Sequence, residues 1–108
     1  MSIKAIAVAL AIMTFTGPAL AACYEDIGCT DSDTYQKRDL RELSCQGLWD
    51  VRNTIYKENG YCFSTDRAVS YFGNKGCSVS NMASVRLNTY ERQNVAQIAA
   101  VEKSKGCN

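Results

Sequence analysis

Six cysteines fall at positions 23, 29, 45, 62, 77 and 107 of a 108-residue chain, and histidine is absent. These two facts constrain the fold more than any other feature. Cysteine at this density in a short chain marks a small domain whose core is marginal and which relies on disulfides, provided the compartment is oxidising. Zinc is the competing use, but the successive spacings of 6, 16, 17, 15 and 30 hold no C-x-x-C pair, and there is no imidazole to complete a site. Without histidine there is no Cys-His or Ser-His-Asp nucleophile either, and an even number of cysteines leaves none spare for catalysis. No cofactor is implied.

The N-terminus supplies the compartment. Lys4 precedes an apolar run from Ala5 to about Phe15, Gly17-Pro18 breaks that run, and Ala19-Leu20-Ala21 places small residues before a cut after Ala21. Residues 1–21 therefore read as a secretory signal peptide. An uninterrupted run of about a dozen residues is too short for the twenty or so that a membrane span needs, so no span is expected in the mature form. Leu20-Ala21-Ala22-Cys23 also has the form of a bacterial lipobox, which would anchor a lipoprotein through Cys23. Lipidation would leave five cysteines, whereas an ordinary cut leaves six, and parity favours the soluble periplasmic or secreted form. With Lys4 removed, as many basic as acidic side chains remain. That balance offers no surplus positive charge for nucleic acid.

Six cysteines allow 15 pairings. A helix starting at Cys45 and ending just before Cys62 would separate the two by roughly 20 Å. Disulfide Cα atoms lie within about 7 Å, so that pair is excluded. Among the remaining pairings, the preferred set is Cys23 with Cys29, Cys62 with Cys77, and Cys45 with Cys107.

Residues 22–42 are polar without a sustained apolar period and read as an irregular N-terminal arm. A helical domain is expected over 43–108. Ser44 is a good N-cap, and Leu48, Val51, Arg52, Ile55 and Tyr56 recur at helical spacing, with Trp49 beside them and Asn59-Gly60 as the stop. Ser64, Thr65 or Asp66 caps a short second helix through Phe72. Asn88 and Glu91 form a capping box for a third helix, carried by Val95, Ile98, Ala99 and Val101 to about Lys105. The fold class is mostly α: a small three-helix domain stapled by disulfides.

The segment LSCQGLWDVRNTIYKENGYCF, from Leu43 to Phe63, resembles the core of the YARHG domain, a small extracytoplasmic module of bacterial proteins. Leu48, Arg52, Asn53, Ile55, Tyr56, Gly60, Tyr61 and Phe63 stand at its pattern positions. Of the naming motif, Tyr56-Lys57-Glu58-Asn59-Gly60 keeps Tyr and Gly. Phe72 and Leu87-Asn88 extend the likeness to about Cys107, and the cysteine-containing form is similar to small secreted proteins of alphaproteobacteria. The resemblance implies an envelope role and brings no activity with it.

Arg52, Asn53, Tyr56, Gly60 and Tyr61 are the signature residues and candidate ligand contacts. Arg52 or Asn53 either bonds the backbone of the following loop, fixing the turn at Gly60, or meets a ligand with Tyr56 or Tyr61 alongside. The aromatic supply suits sugars or extended peptides, although Trp49, Tyr56 and Phe63 are first expected in the core. Glu25, Asp26, Asp31 and Asp33 gather carboxylates on the arm, without the EF-hand order. The functional expectation is a non-enzymatic binding or interaction module whose partner is cell-wall material or an envelope protein. The alternatives are a carboxylate-dependent hydrolase of envelope polymers and a ligand-free structural protein.

Overall fold

The computed structural model describes residues 21–108, so the expected leader, apart from Ala21, lies outside the described residues. In the arm, β1 (Cys23–Tyr24) pairs antiparallel with β2 (Gly28–Cys29), placing Cys23 opposite Cys29 and Tyr24 opposite Gly28. The Cys23–Cys29 disulfide closes this miniature hairpin. A single helical turn, α1 (Lys37–Leu40), follows.

The three longer helices stand where capping chemistry and periodicity put them. In α2 (Cys45–Glu58), the Ser44 hydroxyl accepts from the Gly47 N–H at 3.0 Å. Thr65 does the same for α3 (Asp66–Phe72) through the Ala68 N–H. At the start of α4 (Thr89–Lys105), Asn88 accepts from the Glu91 N–H while the Glu91 carboxylate accepts from the Asn88 N–H, a reciprocal box that satisfies two otherwise unpaired donors. Gly106, at φ +71°, ends α4 in the left-handed conformation that glycine adopts without steric cost. A 3-10 turn, Met82–Ser84, lies in the segment between α3 and α4.

Helices α2 and α4 run antiparallel, as contacts along their length show. Cys45 is bonded to Cys107, Arg52 meets Glu102, and Asn59 meets Glu91. Leu48, Val51 and Ile55 of α2 pack with Ile98 and Val101 of α4 into the main core. Full burial of one such side chain stabilises by roughly 1.5–3 kcal/mol. The other flank of α2 carries Trp49 and Tyr56 into a second, aromatic cluster with Tyr61, Phe63, Ala68, Phe72 and Val85. One helix thus serves two cores.

The arm has little regular structure but is packed into the domain. Ile27, Tyr35 and Leu40 are buried in the main core, and Tyr35, Leu40 and Thr30 are fully inaccessible. These residues follow no period, because a disulfide and side-chain hydrogen bonds order the arm in place of a long repeating element. Asn94, also fully buried, supplies those bonds. Its Oδ1 accepts from the Tyr35 N–H at 2.8 Å, and its Nδ2 donates to the carbonyls of Thr30 and Asp33 at 3.1 and 2.8 Å.

Candidate functional site

The signature residues come together, but mostly as structure. Arg52 sits on α2 between the two apolar flanks and binds Glu102 at two points, Nε to Oε1 at 2.6 Å and Nη2 to Oε2 at 3.2 Å. Planar guanidinium against planar carboxylate is a strong, directional pairing. Its partner is therefore a helix carboxylate, not the backbone of the following loop. Asn53 is buried and donates to the Trp49 carbonyl one turn back at 2.9 Å, again within the helix. Asn59, at the end of α2, donates to the Ile55 carbonyl of the same helix and to Glu91 Oε2 of α4, each at 2.7 Å.

Gly60 marks a close approach of two chain segments. Its carbonyl accepts from the Ser78 and Val79 N–H groups at 2.8 and 3.0 Å, and the Cys62 N–H donates to the Val79 carbonyl at 2.8 Å. With φ at +85° and the Ser78 Oγ only 2.9 Å from where a Cβ would stand, no other residue fits without strain. The Cys62–Cys77 disulfide fastens the same junction. Tyr61 and Phe63 turn into the aromatic cluster, their rings 5.1 Å apart and edge to face, and Phe63 stacks on Phe72 at 4.9 Å. Asn74 completes the junction by exchanging two hydrogen bonds with the Phe63 backbone, at 2.8 and 2.9 Å, in the manner of a strand neighbour.

Arg52, Asn53 and Tyr61 line a small cleft of about 200 Å³ with Trp49, Phe63 and Ala68, whereas Tyr56 reaches a larger one. A concave surface of about 660 Å³ lies between α4 and the segment preceding it, lined among others by Tyr56, Met82, Val85, Leu87, Val95 and Ala99. Arg86 and Arg92 border it. Both are exposed, and Arg92 is held by its bonds to the Leu87 carbonyl and the Thr89 hydroxyl, at 2.8 and 3.4 Å. A mostly apolar lining that includes two arginines, in the size range of small-molecule and peptide sites, is suited to a partner carrying negative charge beside apolar surface. Sequence reasoning missed Arg86, since the segment carrying it has no periodic signal, and Arg92, an exposed basic residue in the first turn of α4. The capping box was the only local sign that Leu87 and Arg92 would face one another.

The other candidates distribute differently. Glu25, Asp26, Asp31 and Asp33 are all exposed. Asp33 Oδ2 accepts from the Cys29 N–H at 2.6 Å, while Glu25 and Asp26 border a smaller cleft of about 380 Å³ with Asp50. Among the described residues no group of His, Cys, Asp or Glu is placed to hold a metal ion. Tyr35 is core, whereas Tyr90 is exposed. Trp49 is half-buried and carries the Arg67 guanidinium 3.9 Å above its ring, and Tyr71, exposed beside it, donates to Asp50 Oδ2 at 2.7 Å. That hydrogen bond is the main cause of the raised Tyr71 pKa. Burial pushes the phenols of Tyr24 and Tyr35 upward, and burial likewise raises Glu58, against hydrogen bonds from Ala22 and Thr30.

Antiparallel helices stapled at one end by a disulfide, with a second, aromatic core built around a Gly-Tyr-Cys-Phe link, define a small disulfide-stabilised helical module. The family model for the YARHG domain matches residues 24–103, and the chain belongs to that family. The matched span begins at Tyr24 and so includes most of the arm. The family is consistent with an extracellular or envelope module. No curated protein and no solved structure matches the chain. No helix among the described residues is long and apolar enough to cross a membrane.

Proposed function

We propose that this protein is an exported binding module of the bacterial cell envelope, with a leader over residues 1–21, and that the cleft between α4 and the segment before it receives an anionic partner. The observation that carries this reading is the cleft itself, lined by apolar Val85, Leu87, Val95 and Ala99 together with Arg86 and Arg92. Three disulfides and the family support an oxidising compartment outside the cytoplasm. Cell-wall polymer and acidic segments of envelope proteins both offer negative charge to the two guanidinium groups. In this reading Arg52, Asn53, Gly60 and Tyr61 hold the fold, and Tyr56 joins the fold to the site.

Retention on isolated cell wall and on immobilised envelope protein fraction tests the proposal. The wild type is expected to be retained by one of them in a salt-sensitive way. Arg86→Ala, and Ala99→Trp to fill the cleft, are expected to lose retention by at least about tenfold, which is roughly 1.4 kcal/mol, at unchanged Tm. Equal retention of all three proteins, or none, overturns it.

A further inference from the structure

Glu58 closes α2 in a setting that disfavours its charge. It is half-buried, a helix C-terminus repels anions, and the carboxylates of Glu91 and Asp31 lie near enough to add to the repulsion. The ion pairs among the described residues are Arg38–Asp39 and Arg52–Glu102, so neither reaches Glu58. Its two hydrogen bonds come from neutral donors. The Ala22 backbone nitrogen donates to Oε1 at 2.8 Å and the Thr30 hydroxyl to Oε2 at 2.9 Å. Ala22 is held from its other side as well, since its carbonyl accepts from the Thr30 N–H at 2.9 Å.

We infer that Glu58 is the receptor for the α-ammonium of Ala22, and that the peptide bond between Ala21 and Ala22 is the processing site that creates this ammonium. The inference rests on the export reading above, with its cut after Ala21, and adds to it what the new terminus does. Hydrolysis adds water across that bond. The C–N bond breaks, Ala21 leaves with a carboxylate, and the Ala22 nitrogen takes up protons to become a cation. The atom that donates to Oε1 as an amide then pairs with it as an ammonium at the same place, and the buried charge is balanced without movement of the chain. A cut before Cys23 would discard Ala22 altogether. It would also claim for lipid a sulfur that is bonded to Cys29.

The full chain, exported through its own leader and recovered from the periplasm, provides the test. Intact mass gives the first residue, and Tm at pH 6 is compared before and after selective acetylation of the α-amine, in wild type and in Glu58→Gln. The expected first residue is Ala22. Acetylation is expected to lower the wild-type Tm by about 4 °C or more and to leave the Tm of Glu58→Gln unchanged. Equal Tm values for the two wild-type forms overturn the receptor, a comparison that stands even if Glu58→Gln does not fold. A different first residue, or lipid on Cys23, overturns the processing site. Loss of envelope retention with this coupling intact overturns the binding reading alone, whereas uncleaved chain confined to the cytosol overturns both.

Discussion

Arg52 on α2 and Glu102 on α4 form a two-point ion pair, and with side chains only 25% and 14% exposed they fasten the helices midway between the Cys45–Cys107 disulfide and the Asn59–Glu91 hydrogen bond. The pair is shielded enough for the loss of one partner to matter. Arg52→Ala leaves a partly buried carboxylate unpaired and is expected to destabilise by about 1–3 kcal/mol. The double change Arg52→Ala with Glu102→Ala should cost less than the two single changes added together. Urea unfolding of the four proteins measures the coupling. Retention on envelope material should follow foldedness and not the charge at position 52.

Asn94 is the hinge between arm and helices. Its replacement by leucine leaves the Tyr35 N–H and the Thr30 and Asp33 carbonyls without their partner. The expected cost is roughly 3 kcal/mol. Hydrogen exchange should accelerate first in residues 30–35, with α2 and α4 protected longer; uniform acceleration across the chain would show that the arm has no separate anchor.

At Gly60, alanine must adopt a positive φ and meet the Ser78 hydroxyl. Destabilisation of about 1–2 kcal/mol or more is expected from the backbone alone. Adding Ser78→Gly should restore the part due to the clash and leave the part due to φ, which thermal unfolding of the single and double variants resolves.

Charge at Ala22 reverses the sign of what Glu58 does. With the α-amine acetylated, burial holds the Glu58 pKa above its unfolded value, so the group contributes stability at low pH that is lost as pH rises through the folded pKa. With the ammonium present, the pair stabilises instead. An amine pKa raised by Glu58 makes that contribution full below the free α-amino value of about 7.7–8.0 and lost as pH climbs through the folded value. Glu91, Asp31, Tyr24 and Tyr35 face the same site, and burial pushes the two phenols up, away from this window. The Tm gap between free and acetylated protein should therefore shrink between pH 7 and pH 10. A constant gap would assign it to something other than the amine.

Much of the helical frame was legible because its signals are local. Ser44, Asn88 with Glu91, and Gly106 mark helix ends by chemistry that acts within one turn, and Leu48, Val51 and Ile55 repeat at the helical period. Tyr35 and Leu40 were hidden among polar neighbours, since an arm ordered by Asn94 some sixty residues away leaves no periodic trace of its burial. Arg52 drew notice as a polar residue on an apolar helix, but its partner is 50 positions distant and nothing local points to Glu102. The cleft bordered by Arg86 and Arg92 was illegible for a related reason: it exists only once the segment before α4 has been placed against that helix.

The intact mass of protein recovered from outside the cytoplasm, taken with and without reductant, tests most directly whether this is an exported, disulfide-closed module. The predicted result is a lipid-free chain beginning at Ala22 that gains the hydrogens of three disulfides on reduction. A mass unchanged by reductant, or a chain that keeps its first 21 residues, would contradict it.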